Sequence, residues 1–198
     1  MNYLAHTYLS DNSEESILGN LLGDFIKGNP DEHYEGEILK WIKIHRKIDA
    51  YTDAHSVFRS SKRLISKERR RFAGIIVDIS FDHYLAKNWH EYSNETFPQY
   101  VNKIYSILQK NKSILPERLI GILPRLVSEN WFDMYKSIEG IDYVFNRMSK
   151  RVKRENSLAG SVVEITQNYS ELEDNFFCFF PEVINFVKQL NDVNNNVK

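Results

Sequence analysis

The stretch Phe72-Ala73-Gly74-Ile75-Ile76-Val77-Asp78-Ile79-Ser80-Phe81-Asp82-His83-Tyr84-Leu85-Ala86-Lys87-Asn88-Trp89 decides the fold. Phe72, Ile75, Ile76 and Ile79 recur at helical spacing, and apolar groups occupy nearly every side of the cylinder. The segment therefore reads as a central, buried helix. Upstream, Ser13-Glu14-Glu15-Ser16 caps an apolar run from Ile17-Leu18 through Leu21-Leu22 to Phe25-Ile26, which Gly28-Asn29-Pro30 stops. A helix is expected over 31–54, with Ile38, Ile42, Ile48 and Tyr51 on its apolar surface. Downstream, Asn94 is expected to cap a helix whose inner face is Tyr100, Val101, Ile104, Tyr105 and Leu108. Pro116 and Pro124 are expected to break the next region, and further helices are expected over 131–147, 162–172 and 181–190. Strand alternation and internal repeats are absent from the pattern. The expectation is an all-α, multi-helix bundle forming one domain over 1–190, with a polar, frayed tail over 191–198.

Bulk properties narrow the function classes. A chain of 198 residues with 42% hydrophobic side chains can bury a sizeable core. With 26 basic and 27 acidic residues the net charge is −1, so nothing global drives binding to nucleic acid or an anionic membrane. No apolar run approaches the roughly 20 residues that span a bilayer. The opening residues lack a basic segment followed by a long apolar run, and Cys178 is the single cysteine; a cytoplasmic location is expected. Cys178 sits in Phe176-Phe177-Cys178-Phe179-Phe180 and is expected to be buried and inert.

Two carboxylates on an apolar helix require partners, because an unpaired buried charge costs several kcal/mol. Asp78 and Asp82 stand four residues apart, and His83 follows directly. His45, Asp49 and Asp53 are spaced i, i+4, i+8 on the preceding helix, and five of the six histidines lie at positions 6, 45, 55, 83 and 90. Oxygen and imidazole donors together suit Mn²⁺, Mg²⁺, Fe or Zn²⁺, and the lack of clustered thiols argues against a structural cysteine-type zinc site. Taken singly, each histidine also reads as an ordinary core or surface residue, and Asp49 and Asp53 as ion-pair partners of Arg46 or Lys47. Phosphate-binding glycine loops, nucleophile elbows and H-E-x-x-H motifs are absent from the sequence.

Met1-Asn2-Tyr3-Leu4-Ala5-His6 and Gly19-Asn20-Leu21-Leu22-Gly23-Asp24-Phe25-Ile26-Lys27-Gly28 resemble the opening of the acyl carrier protein phosphodiesterase family. The resemblance continues through His45-Arg46-x-x-Asp49-x-x-Thr52-Asp53-x-His55 and Asp78-x-x-x-Asp82-His83-Tyr84-Leu85-Ala86-x-x-Trp89, covering roughly the first 90 residues. It implies hydrolysis of the phosphodiester that joins 4'-phosphopantetheine to a serine of holo-acyl carrier protein, with a divalent metal, Mn²⁺ foremost and Mg²⁺ or Fe as alternatives. It also implies a distant HD-phosphohydrolase-like fold, although Asp82-His83 reverses the usual His-Asp order, so ligands do not transfer one for one.

On that resemblance Asp24, Asp82 and His83 are assigned to the metal, with His45 and Asp53 as further ligands and Asp49 or Asp78 as an outer orienting carboxylate. His55 or His6 is expected to protonate the leaving oxygen, and Arg46 to contact the phosphate, alongside a catalytic role for Asp24. Acyl carrier proteins are acidic, which directs attention to Arg69, Arg70 and Arg71 and to Lys150, Arg151, Lys153 and Arg154 as a docking face; each run also reads as a solvated helix end. Two other readings stay open: an HD-type phosphohydrolase of nucleotides or other small phosphoesters, and a non-enzymatic helical binding protein whose Asp/His set forms ion pairs.

Overall fold

Eleven α-helices form the described chain, which in this computed structural model comprises residues 1–153 and 155–195, with side chains described to position 192. They are α1 Tyr3–Tyr8, α2 Glu14–Leu22, α3 Gly36–Ala54, α4 Ser56–Leu64, α5 Ala73–Lys87, α6 Trp89–Tyr92, α7 Phe97–Lys110, α8 Glu117–Ser128, α9 Ile138–Arg151, α10 Val162–Gln167 and α11 Tyr169–Asn195. Short 3₁₀ turns fill four of the joints, and the described residues contain no strand.

Helix α5 is the axle. Ile76, Val77, Ile79, Ser80, Phe81, Asp82, His83, Tyr84 and Leu85 are all buried, as an all-round apolar helix requires. Helix α11 supplies the other half of the aromatic core. Phe176, Phe179, Phe180 and Val183 lie at i, i+3, i+4 and i+7, all with zero exposure. Phe81 meets Phe176 and Phe179 at ring-centroid distances of 5.7 and 5.5 Å. Helices α2 and α3 approach unusually closely at Gly19, where a Cβ would lie 2.5 Å from the Ile38 carbonyl oxygen.

Several local expectations give way to tertiary packing. Cys178 is exposed rather than buried: it falls with Phe177 on the outer face of α11 while its neighbours turn inward. Pro181 lies inside α11 and Pro124 inside α8, so neither ends its helix; buried leucines flank Pro124 and buried Phe179, Phe180 and Val183 flank Pro181. Asn94 is not the cap. Thr96 and Gln99 form a capping box that starts α7. The helix expected over 131–147 starts at Ile138 instead, because Ser137 accepts from the Gly140 N–H and a Cβ on Gly140 would meet the Met134 carbonyl oxygen at 2.1 Å. Residues 191–195 continue α11 rather than fraying; 196–198 lie outside the described residues.

Candidate metal centre

Helices α1, α2 and α3 converge beside the middle of α5, where Asp78 and Asp82 stand. Helix α1 is only six residues long, and the Asn2 side chain does not cap it. Asp82 of α5 does so instead, accepting the Leu4 and Ala5 N–H groups at 2.9 and 3.0 Å. Carboxylate charge at a helix N-terminus is favourable on both hydrogen-bonding and dipole grounds. Burial pushes the Asp82 carboxyl up to about 8, against the pull of those two N–H groups. The result is a short helix clamped so that His6 points into the interior with zero exposure.

His6 stacks on His45 of α3, ring centroids 3.8 Å apart and 26° from parallel. Its Nδ1 lies 3.1 Å from Asn20 Oδ1 on α2, and its Nε2 lies 3.1 Å from Asp49 Oδ1 on α3. Burial, reinforced by His45, pushes the His6 imidazole down to about 3. At neutral pH the ring therefore carries one proton. Placed at Nε2, it is donated to Asp49; placed at Nδ1, toward Asn20, it leaves the Nε2 lone pair free for a cation.

His45 completes the arrangement. Its Nε2 is 3.1 Å from Asp49 Oδ2 and 3.9 Å from Asp24 Oδ1, while its buried Nδ1 has no hydrogen-bond partner. The ring occupies space that only glycine leaves at position 23, since a Cβ there would come within 2.1 Å of His45 Cγ. Asp49 thus presents one oxygen to each imidazole. Burial acts to raise its pKa, but hydrogen bonds from His45 and His6 outweigh that and hold it well below the usual carboxylate range. Asp24 is partly exposed, its side chain at 30% against 43% for Asp49. Partial burial, then the Asp49 and Asp78 charges, lift it to about 6 against the opposing His45. Among the described residues, His6, His45 and Asp49 are the group whose donor atoms all lie within 4.8 Å of one another. Two imidazole nitrogens and carboxylate oxygens form a donor set that fits a divalent first-row metal.

The other sequence-derived candidates sit elsewhere. Asp78 pairs with the Met1 amino group at 3.2 Å, which also lies 3.4 Å from Asp49; burial lowers that amine, but the two carboxylates outweigh it and hold it up at about 10. His83 spans the Tyr135 carbonyl oxygen at 2.7 Å and the Tyr169 hydroxyl at 2.8 Å, tying α5 to the start of α11. Asp53 is exposed and 3.6 Å from Lys62. His55 accepts the Val57 N–H and so caps α4, with Nε2 3.2 Å from Glu182. Arg46 donates to the backbone oxygens of Ile26 and Gly28 at 3.4 and 2.8 Å. The geometry thus keeps Asp24 and His45 in the candidate ligand set, moves Asp53, Asp82 and His83 out of it and brings in His6 and Asp49. Asn20, which by sequence reads as a helix-end polar group, instead contacts His6, and the steric role of Gly23 has no periodic signature.

The first basic run reaches the loop that follows the second. Arg69 donates to the Ser157 carbonyl oxygen at 3.1 Å and pairs with Glu164 at 3.1 Å, and the Ser157 hydroxyl donates to the Glu68 carbonyl. Arg70, Arg71, Lys150, Arg151 and Lys153 are exposed around this junction; Arg154 lies outside the described residues. No helix among the described residues is long and apolar enough to cross a membrane.

Comparison with known proteins identifies the family. The family model described as acyl carrier protein phosphodiesterase matches residues 1–183. Proteins named acyl carrier protein phosphodiesterase from Serratia proteamaculans and Pectobacterium atrosepticum are 33% and 34% identical over 189 residues, 95% of this chain and 98% of each relative. One of the same name from Yersinia pestis is 35% identical over 185 residues, 93% of this chain and 96% of its own. No solved structure matches the chain. A match spanning nearly the whole length, including every helix that builds the His6–His45–Asp49 cluster, places the chain in the acyl carrier protein phosphodiesterase family.

Proposed function

We propose that the protein hydrolyses the phosphodiester linking 4'-phosphopantetheine to a serine of holo-acyl carrier protein, with a divalent cation held by His6, His45, Asp49 and Asp24. The observation that carries this reading is Asp49, flanked on both oxygens at 3.1 Å by imidazole nitrogens, one of them on a ring that burial keeps neutral. A bound divalent metal lowers the pKa of its water and neutralises phosphoryl charge.

The chain's own residues set the stage for that chemistry. Asn20 Oδ1, 3.1 Å from His6 Nδ1, would accept the imidazole proton there and leave the Nε2 lone pair to the cation. Gly23 lets the His45 ring lie against the end of α2. Asp24 and Asp49, both partly exposed, are the carboxylates open to an incoming water. The water oxygen bonds to phosphorus while the bond from phosphorus to the serine oxygen breaks. Of the water's two protons, one ends on the serine hydroxyl and one on the new phosphate monoester. The exposed cations Arg70, Arg71, Lys150 and Lys153 form the face on which an acidic carrier docks.

The decisive experiment incubates the protein with Mn²⁺ and holo-acyl carrier protein and weighs the carrier by mass spectrometry. Loss of the 4'-phosphopantetheine mass is expected, together with loss of both activity and bound metal in His6→Ala, His45→Ala and Asp49→Asn. Folded variants that keep full metal and full rate would remove the ligand assignment, and an unchanged carrier mass with wild-type protein would remove the activity.

A further inference from the structure

A cavity of about 300 Å³ opens beside Asn2, walled by Tyr3, Arg118, Trp131, Met134, Met148 and Arg151. One side is cationic and the other apolar. Arg118 and Arg151 form no ion pair among the described residues, whereas the neighbouring Arg147 is held by Glu129 and lies 4.4 Å over the Trp131 ring. Arg151 lies 5.2 Å over the same ring. Glu129 also accepts the Trp131 indole N–H at 2.8 Å, so the aromatic wall is fixed while the two outer guanidinium groups keep their donors free. Exposed Ile75 and Val152, at 36% and 37%, extend the apolar wall to the rim.

Tyr3 links this cavity to the candidate metal centre. Its ring stacks on Phe25, the residue after Asp24, at 5.6 Å, and the Arg118 guanidinium lies 5.6 Å over that same Phe25 ring. Asn2, one residue before Tyr3, donates to the Tyr135 hydroxyl at 2.7 Å. The Tyr3 hydroxyl feels the charges of Asp24, Arg118 and Arg151 together. An anion resting on the two guanidinium groups would therefore share the surroundings of that hydroxyl with Asp24, with an apolar recess behind it.

We propose that this cavity is the seat of the prosthetic arm: Arg118 and Arg151 hold the phosphate, and the arm lies along Trp131, Met134 and Met148. The inference rests on the hydrolytic reading above and gives it two specificity-determining residues outside the metal cluster. Free guanidinium donors match phosphate oxygens in number and planarity, which a lysine would not. An anionic head continuous with a largely apolar, amide-bearing chain is the ligand shape this asymmetric cavity accepts.

Calorimetric titration of the full-length protein with 4'-phosphopantetheine, pantetheine and inorganic phosphate tests it, alongside turnover of holo-acyl carrier protein. Binding of 4'-phosphopantetheine is expected to be weaker by roughly tenfold or more in Arg118→Gln and Arg151→Gln, with a matching rise in KM. Pantetheine, lacking the phosphate, is expected to bind weakly to wild type and to lose little in these variants. Met148→Trp, which fills the recess, is expected to exclude 4'-phosphopantetheine while still binding inorganic phosphate. Thermal melts identify any variant that fails to fold. Wild-type protein that turns over the carrier, with 4'-phosphopantetheine affinity and KM unchanged in all three folded variants, overturns the cavity assignment and leaves the activity standing. Arginine-dependent binding without turnover of the carrier removes the hydrolytic reading and leaves the cavity as a phosphopantetheine site.

Discussion

His45 and Asp49 stand one helical turn apart, and their side chains lie about 40° apart around the α3 axis; Asp53, a turn further on, has rotated by about 80° and points to solvent. That drift separates the legible part of the site from the rest. Spacing alone identified the His45–Asp49 pair and could not show that the third member of the series leaves the cluster. Adjacent residues diverge further. Asp82 and His83 lie about 100° apart on a helix, so they serve different neighbours, α1 and the Tyr135–Tyr169 pair. His6 was named from the sequence, but its partner Asn20 is a tertiary contact with no periodic signature. Two predictions belong at this scale. Asn20→Ala frees the His6 ring to rotate, and metal affinity is expected to fall about 10–100-fold with little change in melting temperature; equilibrium dialysis against Mn²⁺ checks this, and undiminished affinity would show that Asn20 does not orient the ring. Gly23→Ala places a methyl where the His45 ring lies, costing about 1–3 kcal/mol of stability by overpacking. Metal content and carrier hydrolysis are expected to drop together, so a Gly23→Ala protein with wild-type rate would refute the close-approach argument.

Helix α5 was readable because burial on all sides leaves an unmistakable apolar pattern, and α2 because Ser13 caps it where the sequence indicated. Boundaries set by long-range contacts were not readable. The break before α9 depends on the Met134 carbonyl approaching Gly140, and the continuity of α11 through Pro181 depends on Phe176, Phe179, Phe180 and Val183 packing on α5 and its neighbours. One inter-element tie has a pH signature. Glu164 of α10 is 3% exposed and accepts from the Ser66 N–H, the Ser66 hydroxyl and Arg69 at 2.9, 2.7 and 3.1 Å. Burial acts to raise its pKa, yet these donors outweigh it and lower the carboxyl below its ordinary 4.5. A carboxylate whose folded pKa is depressed stabilises above the unfolded value and loses that contribution as pH falls through the folded one. Stability of the wild type is therefore expected to decline below about pH 4.5 partly through Glu164. Glu164→Gln is expected to cost about 1–3 kcal/mol at pH 7 and to flatten that part of the decline, as read by urea unfolding at successive pH values. Parallel pH profiles for the two proteins would show that the Ser66–Arg69 tie contributes nothing to the titration.

Across the whole molecule, a net charge of −1 conceals an uneven distribution. The runs at 67–71 and 150–153 are 80 residues apart in sequence, yet the Arg69–Ser157 and Ser157–Glu68 hydrogen bonds bring their loops together. Arg70, Arg71, Lys150 and Lys153 are exposed, and Arg151 and Val152 place the second run on the rim of the cavity that Arg118 also borders. Neither run alone distinguished a docking face from a solvated helix end; the packing of the first run on the loop that follows the second favours the face. Coulombic steering between an acidic carrier and this rim is screened over about 8–10 Å at 0.1–0.15 M salt. KM for holo-acyl carrier protein is accordingly expected to rise steeply between ~20 and ~300 mM NaCl, while kcat stays nearly constant if the chemistry belongs, as proposed, to the His6–His45–Asp49 cluster rather than to the exposed cations. Charge reversal at Arg70, Arg71, Lys150 and Lys153 is expected to raise KM at low salt and to abolish most of its salt dependence. Were KM to stay flat across that range in the wild type, the basic rim would be a solvated surface and the carrier would dock by other contacts.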